Sequence, residues 1–137
     1  DYIRDLFAAR AAIEPAAVRW GEFADAPSLV TLTSSAFDYA ARGEHNEVSS
    51  INQQFHRNLV ASLGSPTLNE QMDNLLARMR LTFLLAIPRY PQLHADHIQG
   101  NITLATLIAD GKRLEAATLS HDSLMNTCEK ILAVLDD

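Results

Sequence analysis

Ile51-Asn52-Gln53-Gln54-Phe55-His56-Arg57-Asn58-Leu59 decides how this chain folds. Phe55 and Leu59 extend a stripe that begins at Val48 and reaches Leu63, the spacing of a helix with one face in a core. Asn52 and His56 are four residues apart and fall on that same face. Two polar, ligand-capable side chains are therefore aimed inward. Buried polar groups need partners, so the stripe asks for a second polar group, a metal or a bound molecule opposite it.

Working outward, the punctuation separates helices and gives no hairpin signal. A first apolar-periodic stretch runs from Tyr2 to Phe23, with Pro15 predicting a kink near Glu14. Asp25 and Pro27 start a second helix that runs to Gly43. Asn46 begins the third, which carries the opening motif and stops at Gly64. Ser65-Pro66 starts a fourth that lasts until Pro88, and Pro88-Arg89-Tyr90-Pro91 is a loop. Ile98, Ile102, Ala105 and Ile108 mark a fifth helix ending at Asp110-Gly111. The sixth runs from Lys112 to Leu135, with a seam of Leu114, Ala117, His121, Leu124, Cys128, Ile131 and Leu135. The expected architecture is an all-α antiparallel bundle of six or seven helices.

Composition narrows the function classes. The 137 residues fit one domain, and a net charge of -6 with no basic patch argues against direct nucleic-acid binding. The single cysteine, Cys128, rules out an intrachain disulfide and a cysteine-based zinc knuckle. The longest apolar run, from Leu81 to Ile87, falls far short of the ~20 residues of a membrane span. No basic leader precedes the first helix, so a cytoplasmic protein is expected.

Further positions qualify as site candidates beside Asn52 and His56. His121 replaces an apolar residue inside the last seam, where the plainer reading is a core histidine satisfied by one partner. Two inward histidines on different helices favour a site, because bundles build metal and ligand sites from facing side chains. Gln99 lies near the start of the fifth helix, and a tight turn at Asp110-Gly111 could bring it level with His121. Arg10 and Glu14 form an i, i+4 pair that reads either as a structural salt bridge or as an effector contact. Arg78 and Arg80 interrupt an apolar helix, and one of them could clamp a carboxylate. His45, His94 and His97 sit at helix ends or in loops and read as exposed. Trp20, Phe23, Phe37 and Phe83 read as core or dimer-contact residues.

Taken together, these patterns resemble the FCD domain, the C-terminal effector-sensing domain of FadR-type regulators in the GntR superfamily of bacterial transcription factors. Asp5-Leu6-Phe7-Ala8-Ala9-Arg10-Ala11-Ala12-Ile13-Glu14-Pro15-Ala16-Ala17 is similar to the family's opening helix. Asn52 to Leu59 resembles its "D-x-x-F-H-x-x-L" helix, and Leu63-Gly64-Ser65-Pro66-Thr67-Leu68 the turn that follows. Ile102 to His121 resembles its paired final helices. The resemblance spans essentially the whole chain, 1–137. It implies a ligand-sensing and dimerisation module holding a small carboxylate effector beside a divalent metal. Carried over by position, the four metal ligands fall on Asn52, His56, Gln99 and His121. Asn52 stands where the family has aspartate, and Gln99 where it has histidine.

Neutral amides are weaker donors than carboxylate or imidazole, so only His56 and His121 remain as good metal ligands. The expectation is an organic effector held directly, ahead of a weakly bound zinc or nickel ion at a degraded site, or only water. The candidate effector-binding set is Arg10, Asn52, His56, Arg78, Gln99 and His121. The resemblance further implies a homodimer, and a winged-helix DNA-binding domain preceding Asp1 through which operator DNA is engaged. Two other readings stay open: a metal-dependent helical-bundle enzyme, and a structural dimerisation domain with a vestigial pocket. Against the first, there is no Glu-x-x-His ladder, no phosphate loop and no nucleophile beside a base. Ser120 precedes His121, but neighbouring helix positions point about 100° apart.

Overall fold

The computed structural model describes residues 1–135; the last two positions of the expected 1–137 domain lie outside the described residues. The seven α-helices are α1 (Tyr2–Trp20), α2 (Ala26–Ser34), α3 (Ala36–Ala41), α4 (His45–Ala61), α5 (Pro66–Ala86), α6 (Leu93–Ala109) and α7 (Arg113–Leu135). A short 3-10 turn, Ile87–Arg89, joins α5 to α6. Among the described residues there is no strand, and no helix is long and apolar enough to cross a membrane. The architecture is an all-α bundle.

The sequence signals that start and stop these helices act as local chemistry requires. The side chains of Asp1, Asp25 and Ser65 accept hydrogen bonds from the backbone N–H groups of Arg4, Ser28 and Leu68. Gly43, Gly64 and Gly111 close α3, α4 and α6 at φ values of 72°, 66° and 78°, a region that side chains with a Cβ rarely adopt. The helix α1 runs unbroken through Pro15 and ends at Trp20, three residues short of Phe23. Gly21 is extended there, and its backbone lies so close to α4 that a Cβ would come 1.8 Å from Ser62 Oγ.

One expected helix is two. The stretch expected from Asp25 to Gly43 divides at Ser35, between α2 and α3. The hydroxyls of Thr33 and Ser35 donate to the carbonyls of Leu29 and Leu32, competing with the backbone ladder and bending the chain. The helix α6 starts at Leu93, five residues earlier than its first apolar marker, so His94 and His97 are helical.

Packing places α1 along α7 and α2 along α6, with α4 against α1, α3 and α5. One core cluster joins α1, α5 and α7 around Phe7, Met72, Met79 and Ile131. A second joins α1, α2, α4 and α6 around Val18, Phe55, Leu59 and Leu104. As read from the opening motif, α4 buries Val48, Phe55, His56 and Leu59 on one face.

The helix α7 differs from its expected seam. Its buried residues are Ala116, Ser120, Leu124, Cys128, Ile131 and Leu132, whereas Leu114 is 69% exposed. Steps of four residues advance about 40° past a full turn, so this stripe winds around the helix instead of holding one line. The close-packed side takes the small Ala116 and Ser120, which permit a short interaxial distance, and turns Leu114 and His121 outward. Arg113 fixes that rotation by donating to the carbonyls of Val18 and Gly21 at the end of α1. Trp20 and Phe37, expected in a core or an interface, are 70% and 45% exposed.

Candidate functional site

On α1, Arg10 and Glu14 lie one turn apart, and both are buried. Arg10 Nε donates to Glu14 Oε2 at 2.6 Å, and Nη2 to Oε1 at 3.4 Å. From α4, His56 brings Nδ1 within 2.6 Å of Glu14 Oε1. Burial alone would raise the Glu14 carboxyl. The charges of Arg10 and His56 and their hydrogen bonds outweigh it and bring its pKa down to about 2. An ionised carboxylate only accepts, so Nδ1 of His56 carries its hydrogen toward Glu14. Nε2 is then the ring's remaining polar atom.

Arg10 and His56 face a cavity of about 190 Å³ enclosed by α1, α4, α6, α7 and the segment after α5. Its apolar walls are Phe7, Leu93, Leu104 and Leu124. The helix α6 adds His97, Gly100 and Asn101; α7 adds a polar strip that includes Ser120, Ser123, Thr127 and Lys130. At the mouth, the Tyr90 hydroxyl bonds the Asp96 carboxylate, and burial together with that acceptor pushes its pKa up to about 12. An engineered protein cavity of ~150 Å³ takes a benzene molecule, so this one has room for a compact organic ligand.

A second cavity of about 20 Å³ lies behind the first, and His97 and Asn101 border both. Asn52 lines only this smaller space, where its Oδ1 accepts from Asn101 Nδ2 at 2.7 Å. His94 and His97 also border it, and the Nε2 atom of each is buried without a hydrogen-bond partner. Burial of the His97 ring, reinforced by the surrounding positive charges of His56, Arg10, His94 and Lys130, holds its pKa down at about 3. It is a neutral ring at physiological pH.

The six sequence-derived candidates thus divide. Arg10 and His56 line the larger cavity. Asn52 reaches it only through Asn101. Three expectations are corrected. His121 is not inward: its side chain is 54% exposed and its Nδ1 lies 3.1 Å from Asp122. Gln99 is exposed on the outer side of α6, bonded to Thr103, because the buried stripe of that helix runs through Ile98, Asn101, Ala105 and Ile108. Arg78 lies outside the cavity and donates to the Tyr2 hydroxyl and to Asn74; Arg80 is exposed.

Donors for a metal do not converge here. Among the described residues, no three His, Cys, Asp or Glu side chains are grouped so as to hold an ion. His56 and His121, the two good ligands of the expected set, do not face one cavity. The residues present do not fit a divalent metal at this site.

Sequence reasoning missed His97, Asn101, Ser120 and Lys130 as cavity residues. For Asn101 a signal existed: it sits three residues after Ile98 and four before Ala105, inside the apolar stripe. Ser120 sits likewise, four residues from both Ala116 and Leu124. His97 lacked one, because α6 begins earlier than its first apolar marker.

The structure is thus a helical bundle with an arginine braced at the wall of a cavity. The chain belongs to the FCD domain family, whose model matches residues 5–126. It is accordingly a regulatory, effector-binding type of domain from GntR-family transcription regulators. No curated protein and no solved structure matches the chain.

Proposed function

We propose that this domain senses a small organic anion, such as a carboxylate, in the cavity between α1, α4, α6 and α7. The observation that carries this reading is the orientation of Arg10. Glu14 occupies its Nε edge, which leaves the hydrogens of the terminal edge available to a ligand. That edge can grip a carboxylate through two parallel hydrogen bonds. Because Glu14 holds the guanidinium in place, little side-chain freedom is lost on binding.

In this reading the domain is a cytoplasmic homodimer and acts on operator DNA through a winged-helix domain attached ahead of Asp1. Effector binding shifts the population between dimer arrangements with different operator affinity. Membership in the FCD family supports the regulatory role over the enzymatic and purely structural ones. Of the acid–base groups lining the cavity, His56 Nδ1 is bound to Glu14 and Asp96 to Tyr90, while His97 Nε2 is left without a partner.

Thermal unfolding in the presence of small organic acids tests the proposal. A ligand at about a hundred times its Kd adds roughly 2.7 kcal/mol, a rise of several degrees in Tm for a domain of this size. A selective rise for one chemical group of acids supports a sensor. Conversion of the acid would make the domain an enzyme, and a flat response across the panel would leave the structural reading.

A further inference from the structure

We infer that this domain holds its effector without a divalent metal, the anion being met from two sides by Arg10 of α1 and Lys130 of α7. The inference rests on the anion-sensing reading and deepens it. Lys130 lines the same cavity as Arg10 and sits exposed at its rim.

A bound ion would need three or more convergent donors with enough negative charge to offset its own. His56 is braced as a metal-ligating histidine would be, its Nδ1–H directed at a carboxylate and its Nε2 left over. His97 borders the same cavity, but among the described residues no third ligating side chain joins the two, and the other expected ligands are elsewhere. Asn52 gives its Oδ1 to Asn101 and faces the smaller cavity. Gln99 bonds Thr103 and His121 pairs with Asp122, both on the outer surface. Among the described residues lining the larger cavity, the one carboxylate is Asp96, which the Tyr90 hydroxyl occupies at the mouth.

Electrostatics point the same way. A dication on His56 Nε2 would enter a cavity that the cationic residues Arg10 and Lys130 already line. Like charges in a confined, partly desolvated space repel strongly, whereas an organic anion gains from both. The neutral state of His97 adds a ring that does not oppose either cation. The site therefore carries in its own side chains the positive charge that a metal would otherwise bring.

Calorimetric titration of the EDTA-dialysed domain with four probes, citrate, succinate, lactate and gluconate, provides the test, alongside titration with zinc chloride alone. The expected result is that at least one acid binds with equal affinity in EDTA and in added zinc. Lys130→Met should weaken that binding by about tenfold, the size of one charge-assisted hydrogen bond, while leaving Tm unchanged because Lys130 is exposed. Binding that EDTA abolishes overturns the inference and leaves the sensing reading intact. So does stoichiometric zinc binding that His56→Ala removes. Acid binding that Lys130→Met leaves at full strength overturns the second anchor. No binding of any of the four acids overturns both the inference and the reading beneath it.

Discussion

Glu14 Oε1 lies 2.6 Å from His56 Nδ1 across 42 residues of sequence, and this contact ties α1 to α4 at the wall of the cavity. It also completes a buried chain of three polar side chains, Arg10, Glu14 and His56, in which the carboxylate receives hydrogen bonds from both sides. Such a chain stabilises only when each member is satisfied, and removing one member strands the others.

Acid should weaken this fold through Glu14. Burial opposes its ionised form, yet the Arg10 and His56 charges and hydrogen bonds bring the carboxyl from an ordinary 4.5 to about 2. A folded-state pKa below the unfolded one gives stability that is complete above about 4.5 and is lost as pH falls toward about 2. The loss should be on the order of a few kcal/mol. Urea midpoints between pH 7 and pH 2.5 measure it. The double variant Arg10→Met with Glu14→Leu removes both charges and strands only the His56 ring, and its acid limb below about pH 4.5 should be flatter than that of the parent. Equal slopes in the two proteins would show that Glu14 is not the titrating group.

Gly100 is a glycine inside α6 that lines the larger cavity, and a Cβ there meets nothing within 4 Å. Gly100→Ala should stabilise the helix by about 0.5–1 kcal/mol. The added methyl also narrows the cavity, so any acid that raises the parent's Tm should raise the variant's less. Higher intrinsic stability with a smaller ligand response is the expected pairing; destabilisation would mean that the wall is tighter than the geometry indicates.

The two histidines singled out in the sequence should behave oppositely. His121→Ala changes an exposed side chain and should move stability by no more than about 0.5 kcal/mol. His56→Ala removes a hydrogen bond to a fully buried carboxylate and should cost about 1–3 kcal/mol. Chemical denaturation of the two single variants decides the matter, and a larger effect at His121 would contradict its outward placement.

Asn52 and Asn101 should be coupled. Their side chains meet at 2.7 Å between α4 and α6, and replacing one leaves the other's amide without that partner. A double-mutant cycle of Asn52→Ala and Asn101→Ala should give a coupling of about 0.5–1.5 kcal/mol. Additive losses would mean that the pair does not form in solution.

The elements were legible in the sequence because their signals are local. Asp25, Ser65 and the glycines at 43, 64 and 111 act on backbone groups within a few residues, and the Val48–Phe55–Leu59 stripe needs only a helical period. The Arg10–Glu14 pair was legible for the same reason, being one turn apart on one helix. Helix rotation was not. Adjacent positions differ by about 100°, and an apolar stripe is about as wide, so periodicity alone leaves room for an error of one residue. Packing of α7 against α1, with Arg113 anchored on the carbonyls of Val18 and Gly21, turned Ser120 inward and His121 outward. The buried stripe of α6 likewise took Asn101 and left Gln99 outside. By itself the sequence determined the helical class, most helix stops and the inward face of α4, but not the break at Ser35. Only the tertiary structure decided which polar side chains share a cavity, because that depends on how each helix turns to meet its neighbours.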